Sequence, residues 1–177
     1  MTFSRTGIRR FFAAVMATGC VIASSAIPAA ADITLFSNVD EGNRLRSVLQ
    51  NDGLLNRTDR YKLYVPSDKL TSATALFVVS YPEEYNGQFS EDSIQLRVRN
   101  KAVPMRSVSW DPENLTVELI PEEPIAAQTR KVSIVFSHVQ NPSRTGTHFF
   151  NAYVQAPTET ELGPQYIGTW ILQFGRL

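Results

Sequence analysis

The two histidines of the chain are the residues whose type and spacing point most directly to chemistry. His138 and His148 flank residues 141–146, a segment rich in turn-forming residues. In a hairpin centred near Ser143, the two imidazoles would lie close together across neighbouring strands. Imidazole pairs bind zinc or copper, so His138 and His148 are candidate metal ligands. A metal site needs three or four ligands, and no Cys or paired Met stands nearby, so two strand-end residues without a metal are the alternative.

Patterns for other kinds of catalysis are missing from the sequence. It contains no G-x-S-x-G nucleophile elbow, no G-x-G-x-x-G and no P-loop. Acidic pairs such as Glu83-Glu84 and Glu122-Glu123 fall in loop-like segments, where carboxylates usually serve only solvation. These observations favour a non-enzymatic protein without a cofactor, and they leave an extracytoplasmic hydrolase as an alternative.

The elements that would position these residues are short β-strands. Runs with a period of two recur along the chain with turn residues between them, and almost no helical period is present. They predict strands at 33–36, 60–65, 74–81, 93–99, 107–110, 115–120, 131–139, 148–154 and 166–174. This pattern is typical of an all-β fold, a single antiparallel β-sandwich of the immunoglobulin-like type.

Three longer connections are predicted between these strands, at 37–59, 82–92 and 155–165. Residues 44–49 within the first of them are compatible with one helical turn. Long loops on a rigid sheet are where binding residues tend to lie, so these segments are candidate recognition elements.

Aromatic side chains offer a second kind of recognition surface. In a sandwich most of them fill the core, whereas an exposed stripe would mark a partner surface. Core packing is the favoured interpretation for the aromatic residues of the later strands, which are Trp110, Phe149, Phe150, Tyr153, Trp170 and Phe174.

The N-terminus has the three parts of a secretory signal peptide. Residues 1–10 contain three Arg and no acid, residues 11–23 are mainly apolar, and Ala29 and Ala31 provide an A-x-A cleavage motif. We expect cleavage after Ala31, so that the mature chain begins at Asp32. The apolar run is too short for a comfortable membrane span, which needs about 20 residues.

Cys20 offers a different route of processing. The sequence around it loosely resembles a lipobox, in which the Cys becomes lipidated and N-terminal. The apolar run continues past Cys20, and the site at Ala31 is better, so lipid anchoring is the alternative to a soluble mature chain.

Export changes the charge and redox properties of the protein. The whole chain has 17 basic and 17 acidic residues, and residues 1–31 carry three Arg, so 14 basic and 17 acidic residues remain, a net charge of −3. A weakly acidic chain argues against nucleic-acid partners. Because Cys20 is the only cysteine, the mature protein has no disulfide. Its length suits one domain, with 32–59 as an N-terminal strand and polar loop joined to a sandwich at 60–177.

From about residue 60 onward the chain resembles a known protein family. The residues that carry the resemblance are Tyr61, Val65-Pro66, Val108-Ser109-Trp110-Asp111, Thr116-Val117, Val139-Gln140-Asn141-Pro142, Gly146, Phe149-Phe150, Gly168 and Phe174-Gly175-Arg176. Their order and spacing are similar to those of the cyanobacterial domain of unknown function 2808 family, whose members are exported and mostly β. The resemblance implies a periplasmic or thylakoid-lumenal protein, and it supplies no catalytic residue.

These observations together predict an exported binding or accessory module. Its partner is expected to be another extracytoplasmic protein, and no stable transmembrane segment is expected in the mature chain. A periplasmic copper- or zinc-binding protein remains the alternative that uses His138 and His148.

Overall fold

Eleven β-strands in the described part of the chain form two sheets that share one hydrophobic core. The structure is a computed structural model, and it describes residues 39–158 and 163–175. These belong to one compact unit, Asn38–Leu177. The predicted strand at 33–36, the predicted cleavage residues Ala29, Ala31 and Asp32, and the possible lipidation site Cys20 lie outside the described residues.

The larger sheet has six strands. Their spatial order is β1 (Arg44–Leu45), β11 (Gln165–Phe174), β10 (Gly146–Gln155), β4 (Leu76–Ser80), β8 (Thr116–Pro121) and β7 (Met105–Asp111). Within the described strands every pairing of this sheet is antiparallel, except that β1 runs parallel to β11.

The smaller sheet has five strands, all paired antiparallel. Their spatial order is β2 (Ser47–Leu49), β3 (Thr58–Val65), β9 (Val132–Gln140), β5 (Ile94–Val98) and β6 (Lys101–Ala102). Short 3-10 segments at Glu41–Asn43, Ser67–Lys69 and Glu91–Ser93 connect the strands. No helix among the described residues has the length and apolar character to cross a membrane.

The core lies between the two sheets, because alternate residues of the strands on both sides point into it. In β3, Asp59, Tyr61, Leu63 and Val65 are buried while the residues between them are partly exposed. Trp170 of β11 is fully buried and donates from its indole Nε1 to the backbone oxygen of Tyr64 at 3.0 Å, which joins one sheet to the other. The predicted immunoglobulin-like β-sandwich is confirmed.

Several local predictions are also confirmed. The run at 74–81 contains the interior strand β4, in which Phe77, Val78 and Val79 are all buried. The predicted strands at 107–110 and 115–120 are joined by a tight turn, in which the Asp111 carboxylate accepts backbone hydrogen bonds from Glu113 at 2.9 Å and Asn114 at 3.0 Å. Side-chain acceptors of this kind favour a tight turn between paired strands.

The helical turn predicted at 44–49 is wrong. The segment is extended and supplies β1 and β2, which pair with β11 and β3 respectively. These pairings bury Leu45 and leave Val48 at 42% exposure, so tertiary contacts override a weak local preference.

The predicted hairpin between the two histidine-bearing strands is also wrong. β9 and β10 belong to different sheets, because β9 lies between β3 and β5 while β10 lies between β11 and β4. Residues 141–145 cross from one sheet to the other, and Asn141 and Pro142 are buried at this crossing. A buried crossing of this kind is a connection between layers rather than an exposed two-strand turn.

Candidate binding surface

The two candidate metal ligands occupy unlike environments. His138 is exposed at the end of β9, where its Nδ1 lies 3.2 Å from Ser93 Oγ. His148 is buried in β10, with 4% of its surface exposed. The described residues contain no cluster of three or more His, Cys, Asp or Glu side chains that could hold a metal ion. The structure therefore does not bring the two imidazoles together in the predicted hairpin.

His148 is enclosed by aromatic rings rather than by ligands. The Tyr85 ring lies edge-on to the imidazole with the centroids 5.4 Å apart, and the Phe174 ring lies at 5.6 Å. Its Nδ1 has no hydrogen-bond partner among the residues that the structure describes. Burial lowers the pKa of His148, and the charge of Glu84 opposes this shift only in part. The imidazole is therefore a neutral core side chain at neutral pH.

A buried polar cluster lies at the same end of the sandwich. The Asp59 carboxylate accepts backbone hydrogen bonds from Asn51 at 2.8 Å, Gly53 at 3.3 Å and Arg60 at 2.6 Å. It also accepts from Asn141 Nδ2 at 3.1 Å. The carboxylate thus organises the loop between β2 and β3 and fastens it to the crossing after β9.

Two tyrosine hydroxyls complete this cluster. Tyr61 donates to Asn141 Oδ1 at 2.6 Å, so the Tyr85 hydroxyl is the donor in its 3.0 Å contact with Tyr61. Burial is the main cause that raises the pKa of both phenols, which keeps them neutral. These neutral hydroxyls hydrogen-bond to each other and to Asn141, so they act as structural groups of the core.

Two open cavities lie on the surface. One, of about 710 Å³, is lined by the loop residues around Asn51 and Arg57. The other, of about 400 Å³, lies between Val103 and Ile125 with Glu122 and Glu123 in its wall. Among the described residues that line these two cavities there is no histidine.

The outer face of the five-stranded sheet concentrates positive charge. We define the basic face as Arg46, Arg60, Lys62, Tyr64 and Arg97. Arg60, Lys62 and Tyr64 alternate with the buried residues of β3, and Arg97 follows the same alternation in β5. In the described strands of this sheet the one acidic residue is Asp59, which is buried in the polar cluster.

The side chains of the basic face are held in defined positions. The Arg46 guanidinium lies 4.7 Å from the centroid of the Tyr64 ring, and Lys62 Nζ lies 5.2 Å from it. Lys62 Nζ also donates to Asn100 Oδ1 at 3.0 Å. Arg97 donates from Nε and Nη2 to Gln95 Oε1 at 3.1 and 2.9 Å. Within the described part of the chain, the partners of these cations are therefore amide oxygens and an aromatic ring, and none of them is anionic.

Strand alternation already pointed to part of this face, since it predicts that Arg97 faces away from the core. The sequence alone does not group these cations, because Arg46, Lys62 and Arg97 lie in three separate segments. The alternation of Arg60 and Lys62 with the apolar residues Tyr61 and Leu63 indicated that the two cations lie on one side of a strand. Only the pairing of β3 and β5 with opposite edges of β9 brings the segments onto one face.

The aromatic residues divide between core and surface. Phe150, Trp170 and Phe174 are fully buried, as core packing predicts. Phe149 is 37% exposed, and Tyr166 is 45% exposed with its ring 5.8 Å from that of Tyr153. These exposed rings lie on the six-stranded sheet, away from the basic face.

Solved structures show similar β folds at low sequence identity. The 35 kDa C-terminal fragment of the major pilin GBS80 of Streptococcus agalactiae is 6% identical with a TM-score of 0.48, and the match covers 74% of this chain and 55% of that one. BcpA, the major pilin subunit of Bacillus cereus, is 7% identical to this chain with a TM-score of 0.45. The match covers 73% of this chain and 39% of that pilin. The matches therefore span only about half or less of the two pilin chains.

A third similar structure is an uncharacterized protein from Nocardia farcinica with an immunoglobulin-like fold. It is 13% identical with a TM-score of 0.42, and the match covers 75% of this chain and 99% of that one. A search of curated protein sequences finds no significant match.

Family membership rests on the sequence itself. The profile of the family described as "Protein of unknown function (DUF2808)" matches residues 33–174, which is most of the chain. Residues that carried the resemblance, such as Tyr61, Asn141 and Phe174, lie in the polar cluster or the core beside it. The chain belongs to the DUF2808 family of proteins of unknown function.

Proposed function

We propose that this protein is an exported, non-enzymatic binding module that recognises another protein of the periplasm or thylakoid lumen. The observation that carries the proposal is the basic face on the five-stranded sheet. A mature chain with a net charge of −3 would present four cations there, and the strands described for that sheet add no exposed carboxylate. Charge separated in this way gives a protein surface specificity and orientation toward a complementary partner.

The remaining polar chemistry of the described residues supports binding over catalysis. The buried carboxylate of Asp59 and the hydroxyls of Tyr61 and Tyr85 are bonded to one another or to the backbone. These polar groups stabilise the fold itself, which makes the sandwich rigid. Its outer face carries an ordered arrangement of cations and is suited to surface recognition.

The proposal is tested by comparing three forms of the full chain, each with a C-terminal affinity tag and expressed in the native host. The first is wild type, the second carries R60Q, K62Q and R97Q on the basic face, and the third carries R106Q, R130Q and R144Q elsewhere. The two variants lose equal charge, and all six positions are at least partly exposed. Cell fractionation reports location, and cross-linking followed by mass spectrometry reports partners.

We expect wild type and the third form to be recovered outside the cytoplasm and to cross-link to the same extracytoplasmic protein. The second form should be exported equally but lose that cross-link. Recovery of all three forms in the cytoplasm, or identical partners for all three, would contradict the proposal.

A further inference from the structure

We infer that the basic face binds an acidic, carboxylate-bearing segment of the partner protein. This inference rests on the proposed function and adds the chemistry of the partner to it. The occupant is identified by charge complementarity, because the face supplies cations and ring surface and few apolar contacts.

Strand register defines the layout of the face. Tyr64 and Arg97 both lie opposite Ser133 of β9, one on each side, while Lys62 and Gln95 both lie opposite Val135. Neighbouring strands are about 4.8 Å apart, so Tyr64 and Arg97 are separated by roughly 10 Å across the sheet. The face therefore presents a positive group on either side of β9, at a spacing that one short segment can contact.

The cations retain donors for an incoming anion. A guanidinium has five N–H donors, and Arg97 uses one at Nε and one at Nη2 on Gln95. Lys62 uses one of its three donors on Asn100. Because Gln95 holds the plane of the Arg97 guanidinium, its free edge is preorganised for the two oxygens of a carboxylate.

Two side chains of β9 on this side of the sheet are buried before any partner binds. Ser133 and Val135 point to this side of β9, yet they are only 2% and 1% exposed. Lys62 and Arg97 lie in the strands on either side of β9, opposite Val135 and Ser133 respectively.

The described strands of this face supply no carboxylate to offset the mutual repulsion of its cations, although none of these cations lies directly opposite another in a neighbouring strand. Carboxylates from a partner would remove the repulsion on binding. If these cations served only to stabilise the fold, replacing them with neutral residues would weaken it.

A protein segment fits this surface better than an anionic membrane does. Membrane docking of a basic surface gains from apolar side chains that enter the lipid boundary. On this sheet Val48 is 42% exposed at the edge, and Tyr64 is half-buried between two cations. The net acidic chain also repels an extended anionic surface, whereas a short acidic segment interacts mainly with the local cations within a Debye length.

The test measures binding of a fluorescent peptide of alternating Glu and Ser to the purified, processed protein, with a Gln and Ser peptide as the neutral probe. The same R60Q/K62Q/R97Q variant and the equal-charge R106Q/R130Q/R144Q variant are compared by fluorescence anisotropy at low and near-physiological salt. Thermal unfolding of each form is measured alongside.

We expect the acidic peptide, and not the neutral one, to bind wild type with an affinity that falls as salt rises. The basic-face variant should bind about tenfold or more weakly, as expected for lost charge-assisted contacts, while the control variant stays within about twofold of wild type. The unfolding midpoint of the basic-face variant should stay close to that of wild type, because the weaker repulsion is offset by the lost contacts of Lys62 with Tyr64 and Asn100.

Equal losses in both variants would overturn the inference, since they would show a response to net charge alone. Binding of phosphatidylglycerol vesicles through the same residues, without peptide binding, would overturn it in favour of a membrane. If the cellular cross-link depends on the basic face but the acidic peptide does not bind, the proposed function stands and the carboxylate inference fails. If neither depends on the face, both fail.

Discussion

Asn141 donates through Nδ2 to Asp59 Oδ2 at 3.1 Å, although 82 positions of sequence separate them. The same amide nitrogen donates to the Leu54 backbone oxygen at 2.8 Å, and Asn141 Oδ1 accepts from Tyr61. One side chain therefore joins the loop after β2, the strand β3 and the crossing between the sheets.

Replacement of Asp59 by Ala should destabilise the fold strongly. The change leaves the backbone N–H groups of Asn51 and Gly53 and the Asn141 amide without their acceptor, with an expected cost of about 3 kcal/mol in the free energy of unfolding. Urea unfolding followed by tryptophan fluorescence measures it. D68A removes an exposed acid and should change stability by less than about 0.5 kcal/mol. A cost for D59A no larger than that of D68A would show that the cluster contributes little.

The hydroxyls of Tyr61 and Tyr85 should be energetically coupled. Y61F leaves Asn141 Oδ1 and the Tyr85 hydroxyl without a partner, and Y85F removes a bond to Tyr61, so each single change is expected to cost about 1–2 kcal/mol. Because the two residues share one bond, the double variant should cost about 1 kcal/mol less than the sum of the singles. A double-mutant cycle by denaturant unfolding measures this, and strict additivity would contradict the hydrogen-bonded pair.

His148 should make the protein sensitive to mild acid. Its pKa is lowered in the folded state, mainly by burial, so the unfolded chain binds a proton first as pH falls. The stabilising effect of the neutral imidazole is fully present above the unfolded pKa of about 6.5 and is lost as pH falls from there toward the lower folded pKa.

The variant H148F should remove that acid-dependent loss, because Phe cannot take up a proton. H138N, at an exposed position with a positive φ of 54° that Asn tolerates, should keep the wild-type pH profile. Thermal unfolding from pH 7.5 to 5 measures the effect. Parallel profiles for wild type and H148F would assign the acid sensitivity to other groups.

Gly168 should not accept a side chain. Its φ is +152°, and a Cβ atom there would lie 2.6 Å from the Asn43 backbone oxygen and 2.8 Å from Leu45 Cγ. We expect G168A to destabilise the fold by about 2 kcal/mol or more, because backbone strain and overpacking add. Gly163 also has a positive φ, of 70°, but open space surrounds the position of a Cβ atom. The variant G163A therefore tests backbone strain without a clash, and it should lower the free energy of unfolding by less than G168A does. Equal costs in thermal unfolding would show that the close approach of β1 to β11 is unimportant.

Much of the fold was predictable because it depends on local alternation. Runs such as 60–65 and Ile94–Val98 show which side chains face the core before any partner strand is known. The prediction failed at 44–49, where the local signal is weak and pairing with β3 and β11 determines the conformation. It also failed for His138 and His148, because a turn-rich segment does not reveal whether the chain returns to the same sheet or crosses to the other.

The sequence by itself determined the all-β class, most of the strands and the family, because a period of two and the spacing of short motifs are readable along one chain. Only the tertiary structure decided which distant residues and strands lie next to one another. It separated the two histidines, joined Asp59 to Asn141 and placed Arg46, Lys62 and Arg97 on one face. The physical reason is that alternation specifies the side of a strand on which a residue lies, whereas the order of strands in a sheet depends on packing between distant segments.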